Sequence, residues 1–146
     1  MKFTVEANAL VDSVNWVSRS LSTRPIMTAL LGIVIDVNQD VTLSASDLET
    51  SAKSTFKAEI KESGKVLVPG RLLAEIARSL PNKPVTFTLD NNRVLVTAAT
   101  SKFTLPTLPI NEYPNLPTMP ETTGAISSDV FATAVNQVAI AAGKDD

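Results

Sequence analysis

The chain has 146 residues, of which 44% are hydrophobic and 19% charged, as expected for a globular domain with one hydrophobic core. Because it has no cysteine and no histidine, disulfides, thiolate nucleophiles, cysteine- or histidine-ligated metals and histidine general bases are excluded. A net charge of −2 and a pI of about 5.1 argue against a domain that holds nucleic acid tightly by charge alone.

The chain starts with a short alternating stretch, residues 2–6, which predicts a β-strand. This stretch is too short and too polar for a signal peptide. No stretch of the sequence reaches the roughly 18 apolar residues that a membrane span needs. We therefore expect a cytoplasmic protein without a membrane partner.

An amphipathic helix follows, for which Asn8 is the predicted N-cap. Its apolar residues recur at the spacing of one helical face: Leu10, Val14, Val17 and Leu21. Arg19 falls on the polar face, and Trp16, at the edge of the apolar arc, is interpreted as a packing residue. Pro25 disfavours helical conformation at the residue before it, so Arg24 is predicted to lie on the loop after the helix.

Strands are predicted for residues 32–37, 41–46, 51–60 and 66–68. Residues 51–60 alternate strictly between small or apolar and polar side chains, which is typical of a strand with one solvated face. Asp47 and Glu49 lie in a polar turn between two of these strands. They lack the further ligands that magnesium or calcium needs, so we interpret Asp47 as a turn residue and expect no metal site.

A second amphipathic helix is predicted for residues 71–80. Its apolar arc consists of Leu72, Leu73, Ile76, Ala77 and Leu80. Arg71 and Arg78 are seven residues apart and therefore return to nearly the same azimuth on the opposite face. Two interpretations of this face stay open: an ordinary solvated surface, or a functional surface that presents two guanidinium groups.

A hairpin of residues 85–89 and 93–98 and a short strand of residues 102–105 complete the pattern. The order of strand, helix, four strands, helix and two or three strands predicts an α+β fold, in which an antiparallel sheet carries two helices on one face. The sequence contains no phosphate-binding glycine loop and no activated serine with a base. We therefore expect no enzymatic activity and no cofactor.

From about residue 106 the composition changes to a connector with five prolines within residues 106–120. Apolar residues are interleaved with them: Leu108, Ile110, Tyr113 and Leu116. This pattern predicts an extended segment that lies along a protein surface. The alternative is a disordered proline-rich tail.

Beyond the connector, the beginning of the chain recurs at an offset of 121 residues. Residues 124–127 are predicted to form a strand, and Asp129 stands where Asn8 stands in the first copy. We interpret residues 1–118 as one domain that includes the connector. Residues 119–146 are interpreted as the first strand and helix of an incomplete second domain, so the chain is expected to be part of a longer repeat-built protein.

An ordered set of motifs resembles a known family. These motifs are residues 1–6, 24–25, 46–49, 68–71, 77–81, 93–96, 102–109 and 113–116. Together they resemble the bacterial DNA polymerase III β subunit, the sliding clamp, over the whole chain. The connector and residues 138–146 are most similar to actinobacterial members.

The resemblance implies the DNA-clamp fold, with three copies of one α+β domain in each subunit and a homodimer that closes into a ring. Such a ring encircles double-stranded DNA without reading its sequence and acts as a processivity factor in DNA replication. It tethers the replicative DNA polymerase and is placed on DNA by a clamp loader, both of which would bind through domains absent from this chain. Arg24 and Arg71 match family positions near DNA, and the helical periodicity adds Arg19 and Arg78 as DNA-facing residues.

The resemblance also implies a dimer interface at the far edge of the domain. Six residues are expected there: Phe103, Leu105, Ile76, Leu80, Arg93 and Lys102. The first four would supply exposed apolar contacts, and the two basic residues would add ion pairs. The alternative function is a non-catalytic protein-interaction domain that assembles through its edge strand without contacting DNA.

Overall fold

A computed structural model describes residues 1–116 and 120–143 of the chain. The chain divides into two compact units, residues 1–116 and 117–146. The strands of the first unit are β1 Lys2–Val5, β2 Gly32–Val37, β3 Val41–Ser46, β4 Ser51–Phe56, β5 Glu59–Glu62, β6 Gly64–Pro69, β7 Val85–Asp90, β8 Arg93–Ala98 and β9 Ser101–Pro106. Its α-helices are α1 Ala7–Val17 and α2 Gly70–Ser79, and the second unit contains α3 Ser128–Ala139. Residues 117 and 118 of the predicted first domain and residues 119 and 144–146 of the predicted second domain lie outside the described residues.

The strands form two antiparallel sheets where the sequence predicts one. The five-stranded sheet has the order β5-β1-β7-β8-β9, and the four-stranded sheet has the order β4-β3-β2-β6. The prediction of one continuous strand over residues 51–60 is wrong, because β4 ends at Phe56 in one sheet and β5 begins at Glu59 in the other. Alternation persists across this break, since strands of both sheets have one buried and one solvated face.

One hydrophobic core joins both sheets and the two helices of the first unit. On α1, Leu10, Val14 and Val17 are fully buried, as the helical spacing predicts. Phe3 of β1 stacks on Phe87 of β7 with ring centroids 4.9 Å apart. Helix α1 packs on β3 and β4, α2 packs on β2, β6 and β9, and the helices contact each other. Their polar faces therefore lie side by side on the outside of the unit.

The predicted helix N-caps are each displaced by two residues. Helix α1 has Glu6 rather than Asn8 at its N-cap, and α3 has Ser127 rather than Asp129, with no side-chain cap hydrogen bond in either case. The starts of α1 and α3 nevertheless keep the predicted offset of 121 residues. The predicted strand at residues 124–127 is not observed. A strand requires a hydrogen-bonded neighbour, and residues 120–143 supply none.

Residues 108–113 of the connector pack on the rest of the first unit, as the apolar spacing predicts. Leu108 donates a backbone hydrogen bond of 2.8 Å to the carbonyl of Leu67 on β6. Leu108, Ile110 and Tyr113 pack against a small buried cluster that contains Leu67 and Val34. The connector thereby covers part of the outer edge of the four-stranded sheet, which an unprotected strand would leave open to other chains.

The turn between β3 and β4 is organised by Asp47, which confirms its interpretation as a turn residue. Its Oδ1 accepts backbone hydrogen bonds from Thr50 at 2.7 Å and from Glu49 at 3.0 Å. The Thr50 N–H is the main cause that lowers the pKa of the Asp47 carboxyl. The turn holds Leu48 at a φ of 82°, in the left-handed region.

Within the described residues, no helix has the length and apolar character to cross a membrane.

Candidate nucleic-acid interface

Two neighbouring helical faces present arginine side chains to solvent. Arg71 and Arg78 are exposed on α2, on the face opposite the buried Leu73 and Ile76. Arg19 is exposed in the 3₁₀ turn Ser18–Ser20 that continues α1. Because α1 and α2 contact each other, these three guanidinium groups belong to one side of the first unit. We call this side the helix surface.

Arg24 is exposed on the loop between the 3₁₀ turns Ser18–Ser20 and Thr28–Leu31. This loop position is the one predicted from Pro25, which disfavours helical conformation at the residue before it. The same loop exposes Ile26, at 81% of its maximal area, and Met27. A loop with a guanidinium group beside exposed apolar side chains is a mixed surface that suits contact with another macromolecule.

None of the four predicted DNA-facing arginines forms an ion pair with any residue within 1–116 and 120–143. Their N–H donors are therefore not engaged by carboxylates of the described chain. Asp12 on α1 and Glu75 on α2 are exposed on the same side and reduce its positive charge. The helix surface can attract phosphate groups locally without forming the strongly basic patch that is typical of a tight nucleic-acid binder.

Arg71 is positioned unfavourably for the helix that carries it. It is the second residue of α2, near the positive end of the helix dipole, where a cation costs about 0.3–1 kcal/mol. Arg78 lies in the last turn, where the dipole favours a positive charge. Helix stability accounts for Arg78 but not for Arg71, so Arg71 is the stronger candidate for contact with an external anion.

Trp16 is exposed to 53%, so its interpretation as a core residue is wrong. The buried side of α1 includes Leu10, Val14 and Val17, and Trp16 therefore lies on the solvated side. The guanidinium carbon of Arg19 lies 5.6 Å from the centroid of the Trp16 ring, within cation–π distance. Trp16 and Arg19 are three residues apart at the end of the predicted helix, and this spacing is the feature of the sequence that could have identified the pair.

The predicted dimer interface is divided between exposed and buried residues. Strand β9 is an edge strand of the five-stranded sheet, and on it Phe103 is half-buried. Leu80, just after α2, is also half-buried and packs against the same core. The expectation that Leu105 and Ile76 are exposed is wrong, because their side chains are 0% and 6% exposed within the chain itself.

The two basic residues predicted at this edge are both exposed but lie apart. Arg93 begins β8 opposite Pro106, whereas Lys102 pairs with Thr97. The two positions are separated by four steps along the β8–β9 ladder, or roughly 13 Å. They would therefore mark opposite ends of any contact made by this edge.

Within the described residues, no group of three or more carboxylates has the arrangement of a metal site. The arrangement as a whole offers hydrogen-bond donors, positive charge and one aromatic face on the helix surface. It also offers unpaired backbone groups and a half-buried aromatic side chain at the β9 edge. These are the means of binding a polyanion on one side and another polypeptide on the other.

A family model described as the DNA polymerase III beta subunit, N-terminal domain, matches residues 1–117. A beta sliding clamp of Streptomyces coelicolor is 50% identical over 147 aligned positions, which cover 100% of this chain and 39% of that protein. A beta sliding clamp of Micrococcus luteus is 48% identical and covers 100% of this chain and 47% of that protein. Both organisms are actinobacteria, which confirms the expected similarity.

Solved structures agree with this result. The DNA polymerase III subunit beta from Pseudomonas aeruginosa superposes with a TM-score of 0.89 at 28% identity and covers 100% of this chain and 41% of that one. The DNA polymerase sliding clamp from Bacillus subtilis superposes with a TM-score of 0.87 at 28% identity, over 94% of this chain and 39% of that one. The expected clamp fold and α+β class are confirmed. The chain spans about two fifths of the length of the relatives from Streptomyces and Pseudomonas.

Proposed function

The chain belongs to the DNA polymerase III beta subunit family, and from that membership we propose that it supplies part of a ring-shaped sliding clamp. The match over residues 1–117 carries this proposal. The complete protein encircles double-stranded DNA and tethers the replicative DNA polymerase as a non-catalytic processivity factor. It works in the cytoplasm, where a clamp loader places it on DNA.

Residues 1–118 form the first clamp domain in this proposal, and residues 119–146 begin the second. Helix α3 begins 121 residues after the start of α1, which is the offset predicted from the sequence, and this supports the repeat. The residues of α3 that correspond to Leu10, Val14 and Val17 are Phe131, Val135 and Val138, which are exposed to 56%, 42% and 68%. This apolar face is the one that α1 buries, so the remainder of a second domain covers it in the complete protein.

The helix surface faces the hole of the ring. Arg19, Arg71 and Arg78 lie on it, and Arg24 lies on the adjoining loop. A few guanidinium groups keep the duplex centred through its phosphates without reading bases. The acidic pI is compatible with this role, because enclosure rather than charge retains the DNA, and strong phosphate binding would oppose sliding.

The β9 edge closes the ring by meeting the partner subunit of a homodimer. Phe103 and Leu80 supply apolar contact, with Arg93 and Lys102 at the ends of the edge. Leu105 and Ile76 are buried within the chain and support this edge from inside the core.

The test uses the complete protein, of which this chain is a part. Native mass spectrometry is expected to find a dimer, and the dimer loaded on nicked circular DNA is expected to stay bound at a salt concentration that removes electrostatic binders. Cutting the circle should release it. A protein that dissociates equally from circular and linear DNA would contradict the clamp and favour an interaction domain that assembles without DNA.

A further inference from the structure

Trp16, which lies beneath Arg19, is a conspicuous residue of the helix surface to which the proposed function gives no role. Trp16 is the only tryptophan of the chain, and more than half of its area is exposed. Tryptophan usually buries most of its large apolar area. Here it stands on the solvated side of α1, where the guanidinium of Arg19 lies over its ring.

The local backbone explains how the two side chains meet. Helix α1 ends at Val17, and the chain continues as the 3₁₀ turn Ser18–Ser20. A 3₁₀ turn has three residues per turn, so side chains at positions i and i+3 nearly eclipse each other. The tightening brings Arg19 over Trp16, with the guanidinium carbon 5.6 Å from the ring centroid.

The cation–π contact leaves the hydrogen-bonding edges of both groups available. A guanidinium that rests on an aromatic face keeps its N–H donors in its own plane, where a phosphate can accept them. The indole Nε1–H is a further donor. Within residues 1–116 and 120–143, no side-chain hydrogen bond and no ion pair engages either residue. The pair thus presents several unused donors and one positive charge, which complement a phosphate backbone.

We propose that Trp16 contacts the DNA backbone inside the ring and holds Arg19 in position for the same contact. The indole ring of Trp16 restricts the long arginine side chain before DNA arrives, so less conformational entropy is lost when a phosphate binds. Trp16 is thus a positioning residue for Arg19 as well as a donor of its own. The pair makes a weak, sequence-independent contact that slows sliding. This role of the pair rests on the proposed function.

Crosslinking from position 16 tests the contact directly. In the complete protein, Trp16 is replaced by the photoreactive residue p-benzoylphenylalanine, and the ring is loaded on nicked circular DNA. After irradiation, the circle is cut so that uncrosslinked rings slide off. The control places the same residue at Thr55, which is exposed on β4. Its neighbour Ser54 bonds Ser13 of α1 at 3.0 Å, so Thr55 points away from the helices.

Covalent retention from position 16, and not from position 55, is the expected result. Equal crosslinking from both positions, or from neither, would overturn the inference while leaving the clamp itself intact. Rings that are not retained even on uncut circles, with wild-type protein, would instead refute the proposed function on which the inference rests.

A sliding measurement tests the positioning role separately. Trp16→Leu and Arg19→Gln are each expected to raise the one-dimensional diffusion coefficient of the loaded ring at low salt by about twofold or more. The two effects should be less than additive in the double variant, because Trp16 acts in part through Arg19. Trp16→Phe should change sliding less than Trp16→Leu, because it keeps the aromatic face and loses only the indole donor. Additive effects, or a Trp16→Leu ring that slides at the wild-type rate, would show that Trp16 does not act through Arg19.

Discussion

Replacing Leu105 by alanine is expected to destabilise the folded chain by about 2.5–5 kcal/mol. Leu105 lies on β9, opposite Val94 of β8, and its side chain is fully buried. The substitution removes three buried carbon groups, which are worth about 0.8 kcal/mol each in transfer free energy. A cavity adds to this loss, because β9 is fixed to β8 along its whole length and cannot move inward.

The measurement is urea unfolding of the 146-residue chain, followed by far-ultraviolet circular dichroism. The matched control is Thr104→Val, an isosteric change at the exposed neighbouring position, which should alter the free energy of unfolding by less than about 0.5 kcal/mol. A loss below about 1 kcal/mol for Leu105→Ala would refute its burial. Leu105 would then again be a candidate for direct contact with a partner subunit.

Three further predictions concern the β9 edge, the arginines and the turn at Asp47. In the complete protein, Phe103→Ala should weaken dimerisation by about 2–4 kcal/mol, and an unchanged dissociation constant by analytical ultracentrifugation would contradict that interface. The double variant Arg24→Ala with Arg71→Ala should reduce loading on circular DNA but leave the dimer intact, and loading equal to wild type would exclude these arginines as DNA contacts. Because the pKa of Asp47 is lowered, its carboxylate stabilises the fold at pH values above 3.8, which is its ordinary pKa. This contribution is lost as the pH falls through the lowered pKa. Asp47→Asn should therefore lower the urea midpoint at neutral pH and not in strong acid; an equal deficit at both would show that charge plays no part.

The sequence predicted local structure well where a short-range pattern decides it. The spacing of Leu10, Val14 and Val17 identified the buried face of α1, and the interleaved Leu108 and Ile110 predicted a connector that packs on the domain. The two exposed arginines of α2 also followed from periodicity. These features depend on residues close in the chain, whose relative directions are set by helix or strand geometry.

The partition of strands between sheets could not be predicted in the same way. β1 pairs with both β5 and β7, which are distant in the chain, and residues 57–58 carry the chain between sheets without any interruption of the alternating pattern. An alternating segment fits the solvated edge of either sheet equally well. Only the long-range pairing decides which sheet receives it.

The candidate site divides along the same line. The sequence by itself determined the family, the order of elements and the arginine faces, because these reside in motifs and in periodicity. The tertiary structure alone decided that Leu105 and Ile76 are buried within the chain and that Trp16 is exposed beneath Arg19. Burial depends on which surfaces meet, and the Trp16–Arg19 contact depends on a helix that tightens into a 3₁₀ turn at Ser18.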